Sequence, residues 1–488
     1  MEEGIHVLTN ALRPRVVLKY IGQLALLLAL LTLVPLGFGV MEHEWQRAWR
    51  YVVIITGLLL LGGWLARLPA PERIQGNEAL TITALAFLLS PMLMAWPMMT
   101  GGVAYLDAMF ETVSAVTTTG LSTLGSIEHR SDTFLFARAW MQWYGGLGIV
   151  ILSIALLMGH NAVARRLVEP DESGETLVVT ARSHARLSLL VYLAITALGL
   201  IVVWPLSNDG FSAVLHVLAA VSTGGFSSFD ASLAGLARPA AVAVTVIAFL
   251  CAISLPLYWR AVRAGWHSGW RSVYQDVELR ALIFSCLLIG SLLSWLAWRH
   301  GLANPWYHGF MMGISAQTTT GFATLPVADM DAGSRAIMIL SMLVGGSVGS
   351  TAGGFKLLRL LIFLRLLRLT MLRTTMPPHA VADPYLEGHK LEQDDLLRVL
   401  QLILMFIGIM VLSWLPFVFM GYDPLDALFE VTSACGTVGL STGISRPELE
   451  PLLKGLLCFD MLAGRLEIIA LLVVLYPRSW IGRRENAQ

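Results

Sequence analysis

LDAMFETVSAVTTTGLST, residues 106–123, is the stretch on which the fold turns. Leu106, Met109, Phe110 and Val113 recur at the spacing of a short amphipathic helix. The run Thr117-Thr118-Thr119-Gly120 then predicts that the helix stops and an extended, glycine-hinged strand begins. The stretch returns three times. Setting Gly120 against Gly225, Gly321 and Gly439 aligns SAVTTTGLST with AAVSTGGFSS, SAQTTTGFAT and SACGTVGLST. The fourth copy matches further upstream, with LDALFEVTS at 425–433 where the first has LDAMFETVS at 106–114. Copies in one register imply a fold assembled from similar units.

The composition says where such units live. Of 488 residues, 56% are hydrophobic and 14% charged, and the mean hydropathy is +0.69, far from a soluble domain. The chain reads as an all-α integral membrane protein in contact with lipid. Many apolar runs are long enough to cross the ~30 Å hydrocarbon layer as helices, the form that satisfies its own backbone there. Thirty-three basic residues balance 33 acidic ones, so no net field points to nucleic acid as a partner. Cys251, Cys286, Cys435 and Cys458 are scattered through apolar segments and read as packing thiols. His160, His184, His267 and His389 lack ligand spacing and are expected in loops. Arg13, Arg15 and Lys19 precede an apolar run with no small-residue cleavage site behind it, so that run is expected to remain as the first span.

The expected organisation is an N-terminal transmembrane hairpin (1–72, spans near 20–40 and 51–68) and four units at 73–162, 163–264, 265–380 and 381–488. Each unit has a span, a half-helix ending at the Thr/Gly stretch, and a second span. The second spans are expected near 134–158, 240–259, from 337 onward, and at 452–476. Connections around each copy are too short for a separate domain, so each half-helix must enter the membrane and return. Irregular backbone at that depth is tolerated where it lines protein or water, and four copies imply a shared aqueous axis. Lysine and arginine concentrate in the N-terminal segment, the 165–186 and 260–280 loops, the 356–398 region and the C-terminus. That bias predicts both termini on the cytoplasmic side and half-helices entering from outside.

A half-helix descending from outside points its partially negative C-terminal end at the membrane centre, which favours a cation. Carbonyls exposed along Thr118-Thr119-Gly120, Thr223-Gly224-Gly225, Thr319-Thr320-Gly321 and Thr437-Val438-Gly439 would stack into rings that replace the hydration shell of a monovalent cation. The hydroxyls of Thr118, Thr223, Thr319 and Thr437 would add a ring below. The competing reading is small-residue packing between membrane helices, which four copies in one register disfavour. The copies differ at Gly224 and Val438, so weaker discrimination against sodium is expected than from a symmetric filter.

Below the third copy, GGSVGSTAGG at 345–354 interrupts an apolar segment. At about 1 kcal/mol per glycine relative to alanine, Gly345, Gly346, Gly349, Gly353 and Gly354 should break the helix and leave a loop beneath the filter. A nucleotide-binding P-loop does not fit, because Phe355 separates Gly354 from Lys356; close helix packing remains an alternative. Arg465 lies within the expected last span, where a charge costs about 2.5–3.5 kcal/mol, so it should face the aqueous axis or pair with Asp460 or Glu467.

The chain resembles the membrane subunit of the Trk/Ktr/HKT potassium transporter superfamily, and within it the bacterial Trk-type subunit (TrkH/TrkG-like). The resemblance rests on the four filter copies, on Trp143-Tyr144-Gly145-Gly146-Leu147-Gly148, on the 345–354 string, and on MLAGRLE at 461–467. It implies potassium uptake across a bacterial cytoplasmic (inner) membrane, with K+ as substrate at the filter residues and no catalytic residues. In that family a serine replacing a filter glycine goes with sodium selectivity, and all four glycines are present. The resemblance further implies that 345–354 with Lys356 is the gate, that Arg465 stands opposite it, and that the membrane subunit is a homodimer. Any nucleotide would sit on a separate RCK-type (TrkA-like) regulatory subunit, for which the basic run 359–373 is a docking face. A Ktr-like sodium-coupled or sodium-conducting protein is the alternative within the superfamily. A membrane enzyme would need clustered intramembrane acid, base or nucleophile groups, and an organic-solute transporter would more naturally show two-fold inverted repeats.

Overall fold

The computed structural model describes residues 11–69, 74–160, 177–377, 385–386, 389–391 and 393–480. Helices α1 (Pro14–Met41) and α2 (Trp45–Ala66) pack along each other at the N-terminus. Next come α3 (Gly76–Met98), the short α4 (Tyr105–Val116) and α5 (Asp132–His160). The second set is α6 (Leu177–Val203), the short α7 (Gly210–Val221), α8 (Arg238–Ala252) and α9 (Leu255–Arg263). After α10 (Trp266–Gln275), the third has α11 (Val277–Arg299), the short α12 (Pro305–Gln317), α13 (Ala332–Val344) and α14 (Leu357–Arg373). The last has α15 (Gln393–Phe419), the short α16 (Pro424–Cys435), α17 (Pro451–Arg465), α18 (Ile469–Leu475) and α19 (Pro477–Trp480).

Polarity runs inside out, as a lipid solvent requires. Leu60, Ile201 and Leu412 stand exposed on the outer surface, whereas Thr118, Thr223, Thr319 and Thr437 are buried at the centre. A surface this apolar is stable in hydrocarbon and not in water. Among the described residues, six helical segments are long and apolar enough to span a bilayer: α1, α2, α3, Ala185–Leu206, α11 and Leu396–Phe419. The four short helices are the most enclosed elements, with Phe110, Val217, Met312 and Phe429 fully buried. Their 12 or 13 residues reach about 18–20 Å at 1.5 Å per residue, too short to cross.

Several expectations need correction. The second spans near 240–259 and 452–476 are not continuous. Between α8 and α9 the axis turns by 80°, at Ser254 with Pro256 in the first turn of α9, because proline cannot continue the upstream hydrogen-bond ladder. After Arg465 the backbone goes left-handed at Glu467 (φ 51°) and Ile468 (φ 63°) before α18 begins. Together with the break expected at 345–354, which falls between α13 and α14, second spans two, three and four are all interrupted. A two-residue ladder of β1 (Tyr385–Leu386) antiparallel with β2 (His389–Lys390) lies between α14 and α15 and leaves the fold all-α. His184 and His267 lie within α6 and α10, His160 ends α5 and His389 belongs to β2, so these histidines are not loop residues.

Aspartates start several helices. Asp209 caps α7 by accepting from the amides of Phe211 (3.1 Å) and Ser212 (2.8 Å), and Asp423 caps α16 in the same way. Hydrogen bonds from the Ser212 amide, the Ser212 hydroxyl and the Phe211 amide, the first of them the largest, outweigh the opposing effect of partial burial and hold the Asp209 carboxyl below its ordinary pKa. A depressed carboxylate stabilises the fold above the unfolded value of about 3.9 and loses that contribution as pH falls through the folded value. Asp209→Ala should therefore lower stability by about 1 kcal/mol at neutral pH. In thermal melts of detergent-purified protein, the gap to wild type should persist above about pH 4 and narrow as pH falls through the depressed folded value.

Candidate functional site

All four short helices end alike. In α4 the amides of Thr118 and Thr119 donate to Ala115 O (3.0 Å) and Ser114 O (2.8 Å). The same pair of bonds closes α7 through Thr223 and Gly224, α12 through Thr319 and Thr320, and α16 through Thr437 and Val438. This is the Schellman termination, whose left-handed position usually takes glycine. Here it takes a threonine each time, with φ of 54°, 52°, 52° and 49°. A β-branched residue in that region is an outlier, at a cost of order 1–3 kcal/mol each.

The glycine two residues later shows how the copies meet. A Cβ added to Gly120 would fall onto Gly224 O, one on Gly225 onto Thr320 O, one on Gly321 onto Val438 O, and one on Gly439 onto Thr119 O. The contacts run from the first copy to the second, third and fourth and back to the first, so the four stretches form a closed ring in chain order. All four glycines have positive φ, from 72° to 95°, so substitution meets both strain and a neighbouring carbonyl.

The threonine hydroxyls differ in their bonding. Thr118 Oγ1 and Thr437 Oγ1 are buried without a hydrogen-bond partner among the described residues. Thr223 Oγ1 donates to Ser222 O (2.7 Å), and Thr319 Oγ1 accepts from the amide of Gly353 (2.6 Å).

That last bond seats the glycine string against the ring. The Gly354 amide donates to Gly436 O at 3.1 Å, and Thr351 Oγ1 reaches Val221 O and Cys251 O, both at 3.2 Å. The segment thus touches the ends of α7 and α16 and the threonine beyond α12. A Cβ on Gly353 would overlap Gly436 O, and one on Gly345 would overlap Gly353 O. Gly346 packs on Ala352 and Ala252, whereas Gly349 lies farther off, beside Ser254 and Pro256. Gln317 Nε2 donates to Gly345 O (2.7 Å). Buried Lys356, at φ 76°, bonds Ala352 O through Nζ. Arg465 ends α17, 3% exposed, and its Nη1 donates to Thr351 O at 2.9 Å. Its Nε and Nη2 have no hydrogen-bond partner among the described residues. The expected pairing of Arg465 with Asp460 or Glu467 is not found: Glu467 pairs with Arg359 and Asp460 accepts from Ser413 (2.6 Å).

A set of supporting residues escaped the sequence reading. Nine residues before each ring glycine stand Glu111, His216, Met312 and Glu430. Each bonds the strand returning from the ring: Glu111 accepts from Ser122 and Thr123, His216 meets Ser227, Met312 Sδ accepts from Thr324, and Glu430 accepts from Ser441, Thr442 and Ser445. Glu111 also pairs with buried Arg138 at 2.9 Å, whose guanidinium lies 3.7 Å from the centroid of the Phe226 ring. Ion pairs also link repeats, with Lys454 on Asp107 (2.6 Å) and Arg335 on Asp426. The signal was present in LDAMFE and LDALFE, where an Asp and a Glu recur four residues apart in an apolar half-helix.

A family profile described as TrkH, cation transport protein, matches residues 78–298 and 301–480. The chain belongs to the TrkH family of cation transport proteins. Its class is therefore transport, not catalysis, and it is a multi-pass membrane protein. It is 28% identical over 481 residues to the Trk system potassium uptake protein TrkI of Halomonas elongata, covering 95% of this chain and 96% of that one. It is 28% identical over 390 residues to the Trk system potassium uptake protein TrkH of Vibrio parahaemolyticus, with 78% and 80% covered, and 25% identical over 460 residues to an uncharacterised cation transporter of Methanocaldococcus jannaschii, with 94% of each covered. Its fold matches the crystal structure of the potassium transporter TrkH from Vibrio parahaemolyticus with a TM-score of 0.85 at 24% identity, over 96% of this chain and all of that one.

The two carboxylates that hold the returning strands should respond differently to truncation. Glu430→Ala strands buried hydroxyl and amide donors and should cost about 1–3 kcal/mol. Glu111→Ala also leaves Arg138 as an uncompensated buried charge, at about 3–5 kcal/mol. Melting of the two purified variants should rank Glu111→Ala as clearly the less stable.

Proposed function

We propose that this chain carries potassium into a bacterial cell across the cytoplasmic (inner) membrane, through one pore per chain, with both termini cytoplasmic. The observation that carries the reading is the closed ring of glycine-to-carbonyl contacts among four copies of one stretch, supported by relatives named as potassium uptake proteins. In this reading the units at 73–162, 163–264, 265–380 and 381–488 surround one axis in pseudo-four-fold order, beside the hairpin at 1–72. K+ is the substrate. It sheds its water for carbonyls of residues 118–120, 223–225, 319–321 and 437–439, with the unpartnered hydroxyls of Thr118 and Thr437 at the lower ring. The C-terminal ends of α4, α7, α12 and α16 converge there, and their partial negative charge favours a cation.

The glycine string with Lys356 then acts as the gate. It lies against the lower end of the ring, hydrogen-bonded to Thr319 and Gly436, and Arg465 holds it by the bond to Thr351 O. A buried guanidinium beside the path also repels a permeating cation. Moving the loop and Arg465 together would open the pore, which gives a cytoplasmic RCK-type nucleotide-binding subunit of a homodimeric assembly something to pull on through α14.

Expression in a host lacking potassium uptake systems, with and without a regulatory ring protein, should restore growth at low potassium. Rescue that depends on sodium would favour the Ktr-like reading instead, and no rescue in either case would sink the proposal. Arg465→Ala should raise K+ flux in vesicles by about tenfold, the shift expected from losing a charge-assisted bond of about 1.5 kcal/mol. Unchanged or lost flux in the folded variant would leave the 345–354 segment as packing only.

A further inference from the structure

The ring copies differ most at the residue before the glycine. The first and third have Thr119 and Thr320, whose hydroxyls pair with Thr117 (2.8 Å) and Thr318 (2.7 Å). The fourth has Val438, which packs on Gly436. The second has Gly224 and so no side chain with which to brace its own strand.

The space is filled from another element. Gln142 on α5 is fully buried, and a Cβ added to Gly224 would fall on its carboxamide, 2.5 Å from Cδ. Gln142 Nε2 donates to Gly224 O at 2.5 Å, and Gln142 Oε1 accepts from the amide of Phe226 at 3.2 Å. One carboxamide thus grips the strand on both sides of Gly225, as a neighbouring peptide group would. Only a neutral amide can donate and accept at once here; an ionised carboxylate cannot donate.

The consequence concerns the ring carbonyls. Thr119 O, Gly224 O, Thr320 O and Val438 O are the four oxygens that meet the ring glycines. Among the described residues Gly224 O is the one of these with a hydrogen-bond donor on it.

We infer that Gln142 is a specificity-determining positioning residue: it replaces the side chain missing at Gly224, anchors that carbonyl outward, and prevents the ring from contracting around an ion smaller than K+. This rests on the filter reading of the ring. Without the donor, Gly224 O regains its full charge and is free to move inward, both of which favour Na+ over K+.

The test is the ratio of K+ to Na+ permeability of the full-length protein in vesicles, read from reversal potentials. Gln142→Met keeps most of the volume and removes the donor, and should lower the ratio about three- to tenfold, the scale of one hydrogen bond. An unchanged ratio in a folded, conducting Gln142→Met protein overturns the inference and leaves the filter reading standing. A wild-type protein without preference for K+ overturns the filter reading itself. If Gln142→Met does not fold, the pair Gln142→Ala with Gly224→Thr refills the space, as in the first and third copies, without supplying a donor to Gly224 O. Its ratio should stay low, and recovery to the wild-type ratio would show that volume alone matters and overturn the inference.

Discussion

The approach of four glycine α-carbons to four carbonyl oxygens is the constraint from which the rest of this molecule follows. Backbone comes this close to backbone only where no side chain intervenes, and each contact joins a different pair of repeats. To bring the strands together, each short helix must end abruptly and at the same place. Schellman bonds do this, with threonine in a conformation that glycine normally supplies. The strain is offset by what surrounds the ends: buried Glu111 and Glu430, His216 and Met312 grip the returning strands, and ion pairs such as Lys454 with Asp107 tie one repeat to the next.

The glycine string obeys a related rule. An irregular segment inside a membrane protein must still satisfy its amides and carbonyls, and this one does so largely on the ring. The Gly353 and Gly354 amides, the Thr351 hydroxyl and the Thr351 carbonyl each find a partner outside the segment, on α7, α8, α17 or the residues that follow α12 and α16. Its position is therefore fixed by the same backbone that forms the ring. The breaks at Ser254 and after Arg465 bring further irregular backbone to the same region, with Ser347 and Thr351 amides bonded to Ala252 O and Cys251 O.

What was legible in the sequence was what repeats or what is extreme in composition. Apolar runs announced the helices, the recurrence of Thr-x-Gly announced the ring residues, and five glycines in ten announced the break in the third repeat. What was not legible arises from contacts between repeats. Pro256 near the end of an apolar run was a visible cue to the second break, but the fourth falls at Glu467 and β-branched Ile468, residue types that do not announce a positive φ. For Arg465 the sequence left an aqueous-facing position and an ion pair with Asp460 or Glu467 both open; its bond goes to a carbonyl over a hundred positions away in the chain, and Glu467 is taken by Arg359. Gln142 sits in an ordinary apolar span, and only the absence of a side chain at Gly224 gives it meaning.

The contact between Gly439 and Thr119 O has a consequence for how the chain is made. The first three stretches can meet as soon as they are inserted, but the ring cannot close until the fourth, whose glycine lies 319 residues after that of the first, leaves the ribosome. Until then the buried hydroxyls, carbonyls and arginines of the earlier repeats have one open side. Three stretches without the fourth make an open horseshoe, and closing it is a non-local step of the kind that is slow and exposed to misassembly. Quality control that senses an unpaired polar flank within the bilayer would find its target in chains that stop before residue 439.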